Sequence, residues 1–228
     1  MNLISIELSK FKVSKIFGTL LLFNMLLFLF LFLLGISTGG VKMFPTMDTA
    51  INQINNAIVW PACIMFNAAW SAKILIQELR TNTISNIWSC GIDRNRLMMT
   101  KILLILVIGI SVVAVSTLLL NFLLIVFRSY MDYSAEGTAL EKQFTMPFVI
   151  NITWNAFCIG ITGMLAMFFG SRHFSAITTI IAALGIAAIW ASQISFLNLD
   201  VSDIRLLLMF GSILSLLFLE RKLKRLDF

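Results

Sequence analysis

One histidine, three cysteines and three prolines are all that this 228-residue chain holds of those types, and charged side chains are nearly as scarce. Each shortage closes off a chemistry. A serine protease working inside a membrane needs a histidine at membrane depth to activate its nucleophile, whereas His173 falls in a short turn between two apolar runs. A metal-dependent membrane protease needs several histidine or acidic ligands within its hydrophobic segments, and the apolar runs contain none. Cys63, Cys90 and Cys158 form no pair at metal-ligand spacing, which sets aside a zinc site or a disulfide framework. No G-x-x-x-x-G-K-[ST] phosphate loop is present, so the chain does not itself bind ATP in the P-loop manner. Every aspartate and glutamate lies in a loop or at the end of an apolar run, which argues against an ion-driven secondary transporter. An enzyme is not expected, and no cofactor of the chain's own is expected either.

What the chain has is apolar surface. Hydrophobic residues make up 59% and charged residues 12%, against about a quarter charged in an ordinary soluble domain. An apolar helix of about 20 residues crosses a hydrocarbon core of roughly 30 Å. Runs of that kind occupy residues 16–36, 56–77, 102–127, 148–170, 175–194 and 204–219. The expected fold is therefore an all-α membrane protein, a single transmembrane domain with six transmembrane helices. No removable signal peptide is expected, because the first run follows an amphipathic stretch and continues without a small-residue cleavage site.

Orientation follows from lysine and arginine in the short connections. With the N-terminus inside, the inner side carries Lys10, Lys12, Lys15, Lys73, Arg80, Arg94, Arg96, Lys101, Arg172, Arg221, Lys222, Lys224 and Arg225. The outer side carries only Lys42, Arg128, Lys142 and Arg205. Both termini and the segment 78–101 are thus expected in the cytoplasm of a cell with a multi-pass plasma-membrane protein. The net charge of +6 reads as membrane topology and not as a nucleic-acid footprint, because the basic residues are spread over inner loops and tails.

Residues 1–15 intersperse Leu3, Ile6, Phe11 and Val13 with Lys10, Lys12 and Lys15, which suits a helix lying in the headgroup layer. The first span is a Leu/Phe block broken by Asn24 and faces lipid over most of its circumference. Residues 37–55, with Gly39, Gly40 and Pro45, read as an outer loop ordered at best in short pieces. In the second span Asn56, Trp60, Cys63, Asn67, Trp70, Ile74 and Gln77 recur at four and three spacing and share one inward face. Side-chain amides there serve either interhelical packing or a lining of the translocation path. Lys73 snorkels toward the headgroups. Asn151 and Asn155 fall on one side of the fourth span, and Gly160 and Gly163 allow close approach of a neighbour on another. Thr179, Ala183, Ala187 and Ala191 repeat at every fourth residue of the fifth span, a pattern of tight helix packing.

The polar interval 78–101 is the segment around which the rest is arranged. Thr81 or Thr83 can cap a short helix, and Ile84, Ile87 and Trp88 give it an apolar face at three and four spacing. Gly91 breaks it, and Arg94 and Lys101 lead back to the membrane. An amphipathic helix just below the bilayer is what a soluble motor domain can grip.

At these residues the chain resembles the permease subunits of ABC transporters of the ABC-2 type. The family pattern in this interval is an acidic residue, a small polar linker, a helix, and then an arginine and a lysine before the third span. Glu78, Thr81–Thr83, Ser85–Cys90, Arg94 and Lys101 follow that order, and the N-terminal helix with Glu7, Lys10 and Lys12 resembles the family's interfacial helix. Gly91-Ile92-Asp93 stands where the family often has proline before the arginine, and the outer connection 195–203 is very short. The resemblance implies a cytoplasmic coupling helix in which Glu78, Arg80, Thr83, Ile84, Ile87, Trp88, Gly91, Arg94 and Lys101 engage a separate ABC ATPase subunit, which would bind the ATP and magnesium. It implies a second permease chain, identical or related, a translocation path or subunit interface at Trp60, Asn67, Trp70, Asn151 and Asn155, and a bacterial plasma membrane. Permeases of this length and composition resemble those that export peptides or confer lantibiotic or bacitracin immunity, so the substrate implied is an amphipathic peptide taken from the cell or the lipid. The alternative is a motor-independent immunity or accessory protein that binds a toxin peptide.

Overall fold

The computed structural model describes residues 13–37, 44–76, 94–127, 134–136, 146–173, 175–191 and 206–215. The first helix, α1 (Val13–Ser37), is built almost wholly of leucine and phenylalanine and leaves most of its surface outside the bundle. Its one deep polar residue, Asn24, folds its amide back onto the Leu20 carbonyl at 2.9 Å. Phe23 stacks on Phe66 at 4.5 Å, and Phe28 and Phe32 meet Phe127, so aromatic contacts are prominent where α1 joins the bundle.

The second helix begins at Met47, well before the expected Asn56. It runs through α2 (Met47–Ile54), a π-helical turn (Asn55–Val59), α3 (Trp60–Ser71) and a second π-helical turn (Ala72–Ile76). The polar appearance of this stretch suggested an outer loop, yet Ile51 and Ile54 are buried while Asn52 and Gln53 between them are exposed. One apolar edge of an amphipathic turn is enough to continue the helix. The π turn explains how it does so. At about 100° per residue, Ile51 and Ile54 of an unbroken α-helix would point away from the face of Asn67. A π turn carries an extra residue and swings them inward. The backbone N–H of Trp60 accordingly donates to the carbonyl of Asn55, five residues back. A consequence is that Asn55 takes the buried position that simple α periodicity assigns to Asn56, which is half-buried.

Next come α4 (Arg94–Val126), α5 (Met146–His173), α6 (Ala176–Ala191) and α7 (Leu206–Ser215). With 33 residues, α4 is about 50 Å long, longer than a hydrocarbon core. Helix α5 extends to His173, and the step into α6 is closed by the N–H of Ser175 donating to the Gly170 carbonyl at 3.2 Å. Thr178 and Thr179 then donate to the Ser175 carbonyl at the start of α6.

The expectation of a purely helical chain needs one small correction. Two three-residue strands, β1 (Phe44–Thr46) and β2 (Ser134–Glu136), pair in parallel, with Phe44 opposite Ser134 and Thr46 opposite Glu136. They bring the connection before α2 together with the connection after α4. Everything else described is helix or turn.

Among the described residues four helices are long and apolar enough to cross a membrane: Phe17–Ser37, Ile51–Ile74, Met99–Val126 and Ile150–Ser171. The expected fifth and sixth spans coincide with α6 and α7, which are apolar but shorter among the described residues. Helix α3 sits at the centre, packed on α4, α5 and α6, while α5 also packs on both α4 and α6. The small-residue stripe on α6 behaves as its spacing implies. Thr179, Ala183 and Ala187 are buried and Ala191 half-buried, while Ile177, Ile181 and Leu184 face outward.

Candidate functional site

Asn67 marks the point where three helices come closest. Its amide nitrogen donates to the Gly109 carbonyl of α4, a long bond at 3.4 Å. A Cβ placed on Gly109 would sit 3.4 Å from that nitrogen, and one on Gly163 of α5 would sit 3.1 Å from the Cβ of Asn67. A Cβ on Gly160 would come within 2.8 Å of Ile110 Cγ1 and 3.2 Å of its backbone nitrogen. The missing side chains of Gly109, Gly160 and Gly163 are thus what allows α4 and α5 to close around Asn67, the small-residue packing expected of helices in lipid.

One turn further along, Cys63 of α3 faces Ser116 of α4. That contact is a side-chain hydrogen bond to a thiol, a weak partner, and the serine oxygen has no other in the protein. As numbers fall along α3 they rise along α4, so the two helices are antiparallel, and equal steps from the Asn67–Gly109 contact bring Asn55 and Asn121 to about the same level. Asn55 keeps its side-chain oxygen buried and unpartnered, and Asn121 keeps both of its amide atoms so. The buried face of the second helix therefore presents Cys63 and Asn67 toward α4, and the π turn that holds Asn55 touches both α4 and α6.

Aromatic rings close this face above and below. Trp60 meets Trp190 of α6 edge to face at 6.4 Å. Trp70 packs on Phe66, and the ammonium of exposed Lys73 lies 5.0 Å from its ring. That last contact is a cation–π pair near a helix end. Cys158 of α5 is also buried and in no disulfide.

The residues expected to line a path or a subunit interface divide into two sets. Trp60, Asn67, Trp70 and Asn155 are all buried inside this one chain. Asn151 is exposed, and its side-chain oxygen and backbone carbonyl both accept from the amide of Asn155, at 2.6 and 2.7 Å. Asn155 thereby turns along its own helix and away from Asn67. Of the coupling residues, Glu78, Arg80, Thr83, Ile84, Ile87, Trp88 and Gly91 lie outside the described residues. Arg94 opens α4. Lys101 is completely buried within the helix that it was expected to precede, so its amino group reaches any soluble partner only through its neighbours.

Sequence spacing did not single out Gly109, Asn55, Ser116 and Asn121 as one system. The signal for Asn55 is the phase break between Ile51-Ile54 and Trp60-Cys63-Asn67, visible only when both sets are required to face inward. Among the described residues no group of three or more histidine, cysteine or acidic side chains is placed to hold a metal ion.

Fold and site together define a helical protein with helices long and apolar enough to cross a membrane and an interior polar seam of neutral side chains. The chain is similar to the uncharacterized protein YcbO of Bacillus subtilis (strain 168), 27% identical over 197 residues that cover 84% of each chain. No protein family matches the chain, and no solved structure does.

Proposed function

We propose that the chain is a permease subunit of an ATP-driven exporter of the ABC-2 type, with six spans and both termini in the cytoplasm of a bacterial cell. A separate ATPase subunit supplies the energy, a second permease chain completes the pore, and amphipathic peptides leave the cell or the bilayer through it. The observation that carries this reading is the position of α3. Like α5 it packs on three other helices, and its inner end runs through a π turn toward the segment 78–101. A push delivered to that segment by a motor domain reaches α4, α5 and α6 through one helix. Glu78, Trp88 and the apolar positions Ile84 and Ile87 are the residues assigned to the grip, and Arg94 to the protruding start of α4.

The test is a mild-detergent pull-down of the tagged chain from its native cell, beside a variant with residues 83–91 scrambled. A nucleotide-binding subunit captured by the native chain and lost from the variant supports both the permease role and the docking role. Capture of no ATPase by the native chain, or equal capture by both, removes the motor and leaves the peptide-binding immunity protein as the better account.

A further inference from the structure

We propose that the seam between the second helix and α4, from Asn55 to Asn67 on one side and from Gly109 to Asn121 on the other, is a hydrated binding site. Its guest is a small neutral group that both donates and accepts hydrogen bonds. The argument begins with what is left unsatisfied. The side-chain oxygen of Asn55 and both amide atoms of Asn121 are buried with no hydrogen-bond partner in the protein, and buried Ser116 has only the Cys63 thiol, a weak partner. Other buried hydroxyls are quiet by comparison: Ser71, Thr117, Thr162 and Ser212 each donate to a carbonyl of their own helix. In a bilayer core an unsatisfied polar group costs several kcal/mol, and buried polar atoms in proteins are satisfied by ordered water when no protein group reaches them. Three such residues, on two facing helices and within a few turns of one another, are a recurring expense that packing alone does not explain.

The chemistry of the guest follows from the lining. Carboxamides and a hydroxyl offer donors and acceptors but no charge. The seam from Asn55 to Asn67 holds no carboxylate or ammonium on the second helix, and α4 holds none from Gly109 to Asn121. An ion meets no opposite charge there, whereas water or the amide of a peptide chain matches both the donor and the acceptor of an asparagine. The peptide-amide alternative rests on the permease reading above; the water alternative does not. In either case the polar line lies inside one chain and is not created by contact between two copies.

The experiment uses the full chain in lipid nanodiscs. In a background with Cys63, Cys90 and Cys158 replaced by serine, Ser116→Cys and Leu118→Cys are each exposed to a charged, water-soluble methanethiosulfonate. Leu118 points out of the bundle. Because the thiolate is the reactive form and needs water to exist, the Ser116→Cys chain is expected to react at least about tenfold faster. The native Cys63 thiol, kept alone in an otherwise cysteine-free chain, reads the same seam without altering Ser116 and should behave likewise. If neither reacts faster than Leu118→Cys, the seam is dry and the proposal is overturned. An amphipathic synthetic peptide and its backbone N-methylated twin then separate the two guests. Protection by the first alone identifies the peptide amide, and protection by neither, with fast labelling retained, identifies water. No ATPase enters this assay, so a failed pull-down and a dry seam are independent results.

Discussion

At the scale of single residues the bundle is sensitive where glycine stands between helices and indifferent where it faces outward. Gly160 and Gly185 make the comparison. A Cβ on Gly160 meets Ile110 Cγ1 at 2.8 Å and its backbone nitrogen at 3.2 Å, while one on Gly185 meets nothing within 4 Å. The first clash involves backbone and cannot be relieved by a rotamer change alone, so Gly160→Ala should lose about 1–3 kcal/mol through overpacking. Gly185→Ala should be neutral, or gain up to about 1 kcal/mol from helix propensity. Thermal unfolding of the purified variants in one detergent checks both, and equal midpoints would contradict the close approach of α4 and α5. Asn67→Ala is a third case. The 3.4 Å bond to Gly109 is at the weak end of hydrogen-bond geometry, and interhelical bonds average about 0.6 kcal/mol in one measured membrane system. A loss below about 1 kcal/mol is therefore expected, with no gross unfolding. The inward placement of Asn67, Trp60 and Trp70 was legible from four and three spacing. Their partners were not, because helix spacing gives the direction of a side chain on its own axis but not the register of the neighbouring helix.

At the scale of elements the second helix holds most of what sequence reading missed. Its start at Met47 was hidden because Asp48, Asn52 and Gln53 make the stretch polar on average, and an average does not see that Ile51 and Ile54 share an edge. The phase difference between that edge and the Trp60-Cys63-Asn67 face requires an extra residue, which the π turn Asn55–Val59 supplies. Deleting exposed Ala57 should remove the turn and restore α geometry. Ile51 and Ile54 would then rotate out of the core, or the Asn67 face would. Burial of an isoleucine contributes about 1.5–3 kcal/mol relative to water, less where lipid takes its place, so the deletion should destabilise by a few kcal/mol. The suitable comparison is Ala57→Leu, which keeps the register and is expected to change stability by less than about 0.5 kcal/mol. Equal losses from the deletion and the substitution would mean that the turn is not setting the phase. By contrast, the small-residue stripe of α6 and the glycines of α5 were readable in advance, since each lies within one unbroken α-helix where a fixed spacing holds.

At the scale of the whole molecule the charge pattern makes a prediction that helix packing does not. Packing is indifferent to which end faces the cytoplasm, whereas lysine and arginine in short connections are retained on the inner side. Lys10 and Lys12 precede α1 and Lys15 lies in its first turn, Arg80 follows the second helix, Arg94 and Arg96 lie in the first turn of α4, and Arg172 stands at the end of α5. The ladder of β1 and β2 joins the connections at the other ends of these helices, where basic residues are few. Alternation through α1, the second helix, α4 and α5 then places Cys90 inside, on the side of a soluble ATPase. With Cys63 and Cys158 changed to serine, a membrane-impermeant maleimide should label Cys90 in inside-out vesicles and spare it in right-side-out ones. The reverse result would put the 78–101 segment beyond the reach of any cytoplasmic motor and would end the permease reading, whatever the interior seam contains. Labelling from the inside, followed by loss of ATP-driven peptide export in Glu78→Ala or Trp88→Ala chains that keep their thermal midpoint, would tie the orientation to coupling. Unchanged export in both variants would leave the segment inside but without that task.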